Sequence, residues 1–282
     1  MKPLIGLNPL TIKQCQNFEE KIEIASRAGY EGIGLRGNEV DAYLKEGHTL
    51  TNIAALIKKN GLVITDMGSI AGWQFTDHPP LICRVKLERE ESNKKLNEEL
   101  KILFERAATL GCPYIPAVSA INETGEFIKG VEDFAEVCDL AAEFGLRIAF
   151  EFVGFGKQMN NLVIANKLIN EAGRKNGGLL FDTFHFYRGN CNLEDLNQVP
   201  DEKIFMVHIN DVMDKPRETI RDQDRLYPGL GVVNLKEIVK KIQSKNYQGF
   251  YSVEIFNEDY WQDDPFKVAL EARKATERIL LA

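Results

Sequence analysis

The sequence predicts a single α/β domain, a (β/α)8 barrel (TIM barrel), with its active site at the C-terminal ends of the strands. Three observations predict it. Short apolar or β-branched runs alternate with longer amphipathic segments, eight times along the chain. Several amphipathic segments stop at Gly and pass through a short turn into the next strand, as in RAGYEGIGLR, TLGCPYIPAVS, EFGLRIAFEF and NYQGFYSVEIF. The length of 282 residues fits one such barrel, so residues 1–282 read as one domain.

The elements follow in order. LIGLN (4–8) opens the barrel, and NFEEKIEIASRAG supplies a helix that stops at Gly29. GIGLR (32–36) and LVITDM (62–67) are the second and third strands. An irregular piece, GSIAGWQFTDHPPLICRVK (68–86), comes next. Its length, with Trp73 and His78, suits either a lid or an oligomer contact. KKLNEELKILFERAATLG then leads into YIPAVS (114–119), and VEDFAEVCDLAAEFG leads into RIAFEFV (147–153). GLLFD (178–182) is the sixth strand, and CNLEDLNQV after it allows only a short helix. IFMVHIN (204–210) and FYSVEIF (250–256) complete the set. The alternative, an open doubly wound sheet, wants a Gly-rich phosphate turn after its first strand. GLNPLTIKQC is not one.

Composition narrows the function. The net charge is −7 and no basic cluster appears, so neither nucleic acid nor an anionic membrane is the expected partner. No apolar run reaches the length of a membrane span, and MKPLIGLNPL has no signal-peptide pattern. Five scattered cysteines (Cys15, Cys83, Cys112, Cys138, Cys191) form no CxxC pair. That argues for a reducing, cytoplasmic setting and against a thiolate zinc site.

Chemistry enters where the period of two is applied to the last four strands. In RIAFEFV, Ile148, Phe150 and Phe152 share a greasy face, and Glu151 lies on the other. In IFMVHIN, Phe205, Val207 and Ile209 oppose Met206, His208 and Asn210. In FYSVEIF, Tyr251, Val253 and Ile255 oppose Ser252 and Glu254. GLLFD ends on Asp182. Strands five to eight therefore aim Glu151, Asp182, His208 and Glu254 at the barrel axis, near their C-terminal ends. Three buried carboxylates need a compensating cation. Three oxygen donors and one imidazole suit one divalent metal ion: Mn2+, Zn2+, Co2+ or Mg2+. Asp182 and His185 are three residues apart, so a continuous strand would point them to opposite faces. The strand must stop near Asp182, and TFHF must bend back over the mouth as a loop.

At these residues the chain resembles the xylose isomerase-like TIM barrels, the sugar isomerase/epimerase superfamily. The resemblance is strongest in RIAFEFVGF, GLLFDTFHF, KIFMVHINDV, DQDRLYPGLGVVNL and YSVEIFNEDYW. The family's metal ligands fall on Glu151, Asp182, His208 and Glu254. Its D-x-x-H histidine falls on His185, and its arginine ahead of the P-G-x-G turn falls on Arg225. In the related ketose 3-epimerases a second glutamate follows the first ligand by about six residues; Lys157 stands in that region here, against 3-epimerisation. The resemblance implies metal-dependent isomerisation of a small polyhydroxylated ketone, an inosose or a ketose. Glu151 and Glu254 would move the proton, while His185, Arg225 and Lys157 would contact substrate. Arg36, Trp73 and Trp261 are weaker candidates near the mouth. An epimerase, a hydroxypyruvate-type isomerase and a water-eliminating lyase are the alternatives. DQD (Asp222–Asp224) has the spacing of a second metal's ligands but better suits a charged loop that positions Arg225. Acidic loops after strands seven and eight favour an unphosphorylated substrate. Trp261 and the loop after strand three are candidate contacts for a homo-oligomer.

Overall fold

A computed structural model describes residues 2–71, 89–121 and 126–282, except the side chains of residues 71 and 89–96. The eight expected runs form eight parallel strands. They are β1 (Leu4–Leu7), β2 (Gly32–Leu35), β3 (Val63–Met67), β4 (Tyr114–Val118), β5 (Arg147–Glu151), β6 (Gly177–Asp182), β7 (Ile204–Ile209) and β8 (Phe250–Val253). The pairing runs β3-β2-β1-β8-β7-β6-β5-β4. The seam between β3 and β4 closes through a separate piece. Gly68, at φ +76°, breaks the line of β3. The chain resumes as Ile70–Ala71, which pairs with Ala117 and Val118 of β4. The segment expected as a lid, with Trp73 and His78, lies from residue 72 onward outside the described residues.

Nine helices flank the strands among the described residues: α1 (Phe18–Arg27), α2 (Gly37–Lys45), α3 (Leu50–Lys59), α4 (Arg89–Thr109), α5 (Phe127–Ala142), α6 (Leu162–Ala172), α7 (Thr183–Arg188), α8 (Leu235–Ser244) and α9 (Pro265–Leu280). Local chemistry sets their ends. The Asn17 side chain caps α1 by accepting from the Glu20 N–H (2.9 Å), with Glu19 and Glu20 in the first turn. Gly173, left-handed at φ +65°, stops α6. The sixth connection is short, as its sequence suggests: α7, then a 3-10 turn over Leu193–Gln198. No helix among the described residues is long and apolar enough to cross a membrane.

Alternation places the core. Ile5, Leu7, Ile33, Leu35, Ile148, Phe150, Phe181, Val207, Ile209 and Val253 face the helices in one large buried cluster. A smaller cluster of Ala149, Leu180, Phe205 and Met206 fills the barrel, with Tyr114 against it. Phe205 departs from strict alternation, which put it among the outward residues. A register shift explains the change: Leu179 pairs with Ile204 but Leu180 with Met206, so Phe205 is the extra residue of a bulge. Gly178 makes room for its ring, because a Cβ there would lie 2.7 Å from three ring atoms.

A second bulge lies in β3. Ile33 pairs with Ile64 but Leu35 with Met67, so Gly34 opposes both Thr65 and Asp66. Both side chains consequently lie against the inward-facing glycines of β1 and β2. The Thr65 methyl would be 2.6 Å from a Cβ at Gly32, and both Asp66 carboxylate oxygens 3.0 Å from a Cβ at Gly34.

Candidate metal centre and active site

Glu151 ends β5, Asp182 ends β6, His208 lies in β7, and Glu254 immediately follows β8. The last strand is thus shorter than the expected 250–256, but the Glu254 N–H still donates to the Ile209 carbonyl (3.4 Å). All four side chains are buried, and one donor atom from each lies within 4.8 Å of the others. His208 Nδ1 is 3.2 Å from Glu254 Oε2, 3.5 Å from Glu151 Oε1 and 3.8 Å from Asp182 Oδ2.

Two of the three carboxylates, Asp182 and Glu254, are held by further partners. Asp182 is also the N-cap of α7: its Oδ1 accepts from the N–H groups of Phe184 (2.6 Å) and His185 (3.1 Å). Asn210 Nδ2 approaches both Asp182 oxygens at 3.3 Å. Asn8 Nδ2 donates to Glu254 Oε1 (2.8 Å). Arg225 Nη1 donates to Asp182 Oδ2 (2.8 Å) and Glu254 Oε2 (2.9 Å), tying the two together.

The charges pull in opposite directions. Burial pushes the Glu151 carboxyl up to about 7, with His208 opposing. Burial alone would raise Glu254 as well, but His208 and Arg225 outweigh it and hold Glu254 well below the usual carboxylate range. Burial disfavours a charged His208, yet the Glu254 and Glu151 carboxylates raise it well above 6.5.

The donor set fits a cation. Both ring nitrogens of His208 and Glu151 Oε1 are buried without a hydrogen-bond partner among the described residues. A buried imidazole facing three carboxylates, none of them aligned to bond it, fits a metal ligand better than a hydrogen-bonded core histidine. No other such cluster exists among the described residues.

His185 does not arrive on a loop. It sits in the first turn of α7, because Asp182 ends the strand and caps the helix at once. Its Nδ1 accepts from the Gly154 N–H (3.2 Å), which assigns the proton of the neutral ring to Nε2. Burial lowers its pKa, so the ring is neutral at pH 7. Nε2 lies 3.5 Å from Arg225 Nη2.

Arg225 is 1% exposed. Its guanidinium lies between the rings of Phe184 (4.5 Å) and Phe256 (4.7 Å). Burial opposes its charge, but Asp182 and Glu254 keep it protonated. Asp222 Oδ1 accepts from Nη2 (3.1 Å), whereas Asp224 pairs with Lys215. Residues Arg225–Leu226 pair antiparallel with Asp211–Val212. Buried Asp211 fastens the following turn by accepting from the N–H groups of Val212, Gly229 and Val233, each at 2.9 Å.

Lys157 is exposed on the turn after β5, and its N–H donates to the Ile121 carbonyl (3.3 Å). Trp261 packs on the turn after β1, its indole N–H donating to the Leu10 carbonyl (3.1 Å). Sequence reading passed over Asn8 and Asn210, although Asn210 sits on the same face as His208. It also passed over Asp66. Alternation groups Asp66 with Leu62 and Ile64, and only the bulge turns it inward. Burial raises its carboxyl, with His208 close enough to oppose the shift.

A parallel barrel with ionisable groups gathered at the C-terminal ends of its strands is an enzyme scaffold. The model of the xylose isomerase-like TIM barrel family matches residues 22–279, and the chain belongs to that family. It is 29% identical over 280 residues to an inosose isomerase of Bacillus velezensis, covering 97% of this chain and 95% of that one. A crystal structure of the IolI protein with a bound zinc atom superposes with a TM-score of 0.88 at 26% identity, covering 99% of this chain and 98% of that one. An inosose dehydratase of Geobacillus thermodenitrificans is 30% identical over 149 residues, 48% of this chain and 49% of that one.

Proposed function

We propose that the chain is a divalent-metal-dependent isomerase. It would shift the ketone of an inosose to the adjacent carbon, as from 2-keto-myo-inositol to 1-keto-D-chiro-inositol, through an enediolate. The observation that carries this is the buried cluster of two glutamates, one aspartate and one histidine at the barrel mouth. Similarity to inosose isomerases along nearly the whole chain supports it. The same reading takes residues 1–282 as one barrel domain.

Glu151, Asp182, His208 and Glu254 would hold the ion. A divalent ion there supplies Lewis acidity, polarising the substrate carbonyl and offsetting the negative charge of the enediolate. The chain's residues do the rest. Glu254, kept ionised by His208 and Arg225, is in the state a general base needs at neutral pH. It takes the proton from the carbon beside the carbonyl, Glu254 or Glu151 returns it to the former carbonyl carbon, and the proton of the adjacent hydroxyl passes to the former carbonyl oxygen. His185 donates from Nε2 to a substrate oxygen. Arg225 fixes the spacing of Asp182 and Glu254 and presents Nη2 towards the substrate. Lys157, at the rim, contacts an outer hydroxyl.

The test is proton exchange. The protein is loaded with Zn2+ or Mn2+, incubated in D2O with 2-keto-myo-inositol and a panel of free ketoses, and followed by NMR. Deuterium at the carbon beside the carbonyl together with a moved ketone is the expected result. Inversion with an unmoved ketone would mean an epimerase. Loss of water would mean a lyase, the reading the dehydratase relative favours. Absence of exchange with every substrate would remove proton transfer altogether.

A further inference from the structure

We propose that Asp66, delivered by the β3 bulge into the barrel mouth opposite the metal-ligand strands, binds a ring hydroxyl of the polyol substrate. This deepens the isomerase reading and rests on it. The proposed ligands come from β5 to β8 and its edge, and β3 stands four strands from β7, across the barrel. A polyhydroxylated ring held by its ketone on the ligand side presents further hydroxyls to the opposite wall. On that wall Asn8 is already engaged with Glu254, and β2 offers glycines at 32 and 34. Ser119 turns its hydroxyl to the Met159 carbonyl (3.4 Å).

Asp66 is 4% exposed, a costly position for a carboxyl group. Among the described residues its hydrogen-bond partner is the neighbouring Thr65 hydroxyl, which donates to Oδ2 (2.6 Å) and fixes the group's orientation. Oδ1 has no hydrogen-bond partner among the described residues. Three inward glycines make the space: Gly32 and Gly6 for the Thr65 methyl, and Gly34 for the carboxylate itself. An extra residue in β3, a set of wall glycines and a carboxyl with an open acceptor share one height in the barrel. A purely structural aspartate would need the first two without the third.

The experiment compares wild type, Asp66→Asn and Asp66→Ala, all zinc-loaded. Zinc affinity is read by calorimetric titration and 2-keto-myo-inositol affinity by calorimetry or saturation-transfer NMR. The expected result is zinc affinity unchanged within about twofold in both variants. Affinity for the ketone falls by about tenfold or more in Asp66→Ala, the effect of one lost buried hydrogen bond. Asp66→Asn, which keeps shape and an acceptor oxygen, retains part of it. KM should rise more than kcat falls, since Asp66 lies away from the reacting carbons. Unchanged ketone affinity in Asp66→Ala overturns the proposal, and so does a loss of zinc affinity equal to the loss of ketone affinity. Wild type that binds the ketone without converting it ends the isomerase reading while the variants still judge Asp66. Wild type that does not bind it overturns both.

Discussion

At the scale of single residues, the site is built from side chains with two jobs each. Asp182 caps α7 with one oxygen and faces His208 with the other. Glu254 takes Asn8 on one oxygen and Arg225 on the other. Substituting Glu254 by Gln keeps the shape and removes the base. We expect kcat to fall by about 10^2 to 10^4, the usual worth of a positioned general base, with the circular dichroism spectrum unchanged. Activity within a factor of two of wild type would take Glu254 out of proton transfer. The four clustered residues were legible because each sits at the inward phase of a strand end, where a period of two suffices. Asp66 was not, because one inserted residue reverses that phase. Asn8 and Asn210 were hidden for a different reason: an amide at a strand end carries no charge pattern until its partner is known.

At the scale of elements, the two bulges show how much of the interior depends on backbone insertion. Phe205 fills the barrel floor only because β7 carries one more residue than β6 across that stretch, and because Gly178 has no side chain. Gly178→Ala would press a methyl on the Phe205 ring. We expect a loss of about 1–3 kcal/mol, read as a lower urea midpoint at constant m-value. An unchanged midpoint would mean that the ring moves aside freely. The eight strands were readable from their alternation with helices, to within a residue or three at each end. The helix at Thr183 was not, since TFHFYR is too short for a periodic signal. What makes it a helix is the Asp182 cap, and that is visible only once the strand is known to stop there.

At the scale of the whole molecule, the charges of the cluster make metal binding a proton exchange. A metal ligand must be deprotonated. His208 is raised well above its ordinary value by Glu254 and Glu151, and Glu151 itself by burial to about 7. Below about pH 7 the ion therefore displaces a proton from each. Above that, until His208 itself titrates, it displaces one. Apparent zinc affinity should rise with pH, by up to about a hundredfold per unit below pH 7 and about tenfold per unit just above it. Titrations at pH 6, 7 and 8 in buffers of different ionisation enthalpy would count the protons, and a pH-independent affinity would contradict the charge assignment. Saturating zinc should also raise the midpoint of thermal unfolding, as any ligand of the native state does. Removing it with a chelator should return the midpoint to its starting value.

The seam at Gly68 gives the barrel a beginning and an end. Seven pairings join the eight strands directly, while the eighth is made by the two residues Ile70 and Ala71 against Ala117 and Val118. The sheet is therefore better pictured as a curled ribbon clasped at its edges than as a seamless ring. A clasp this short opens at a lower free energy than the ladders around it. Amide protons of the clasp should exchange with deuterated solvent well before those of β6 and β7. Breathing of the barrel would then start beside the ligand cluster, because Val118, which the clasp holds, also pairs with Glu151, and Ile70 follows Asp66 along the same stretch of chain.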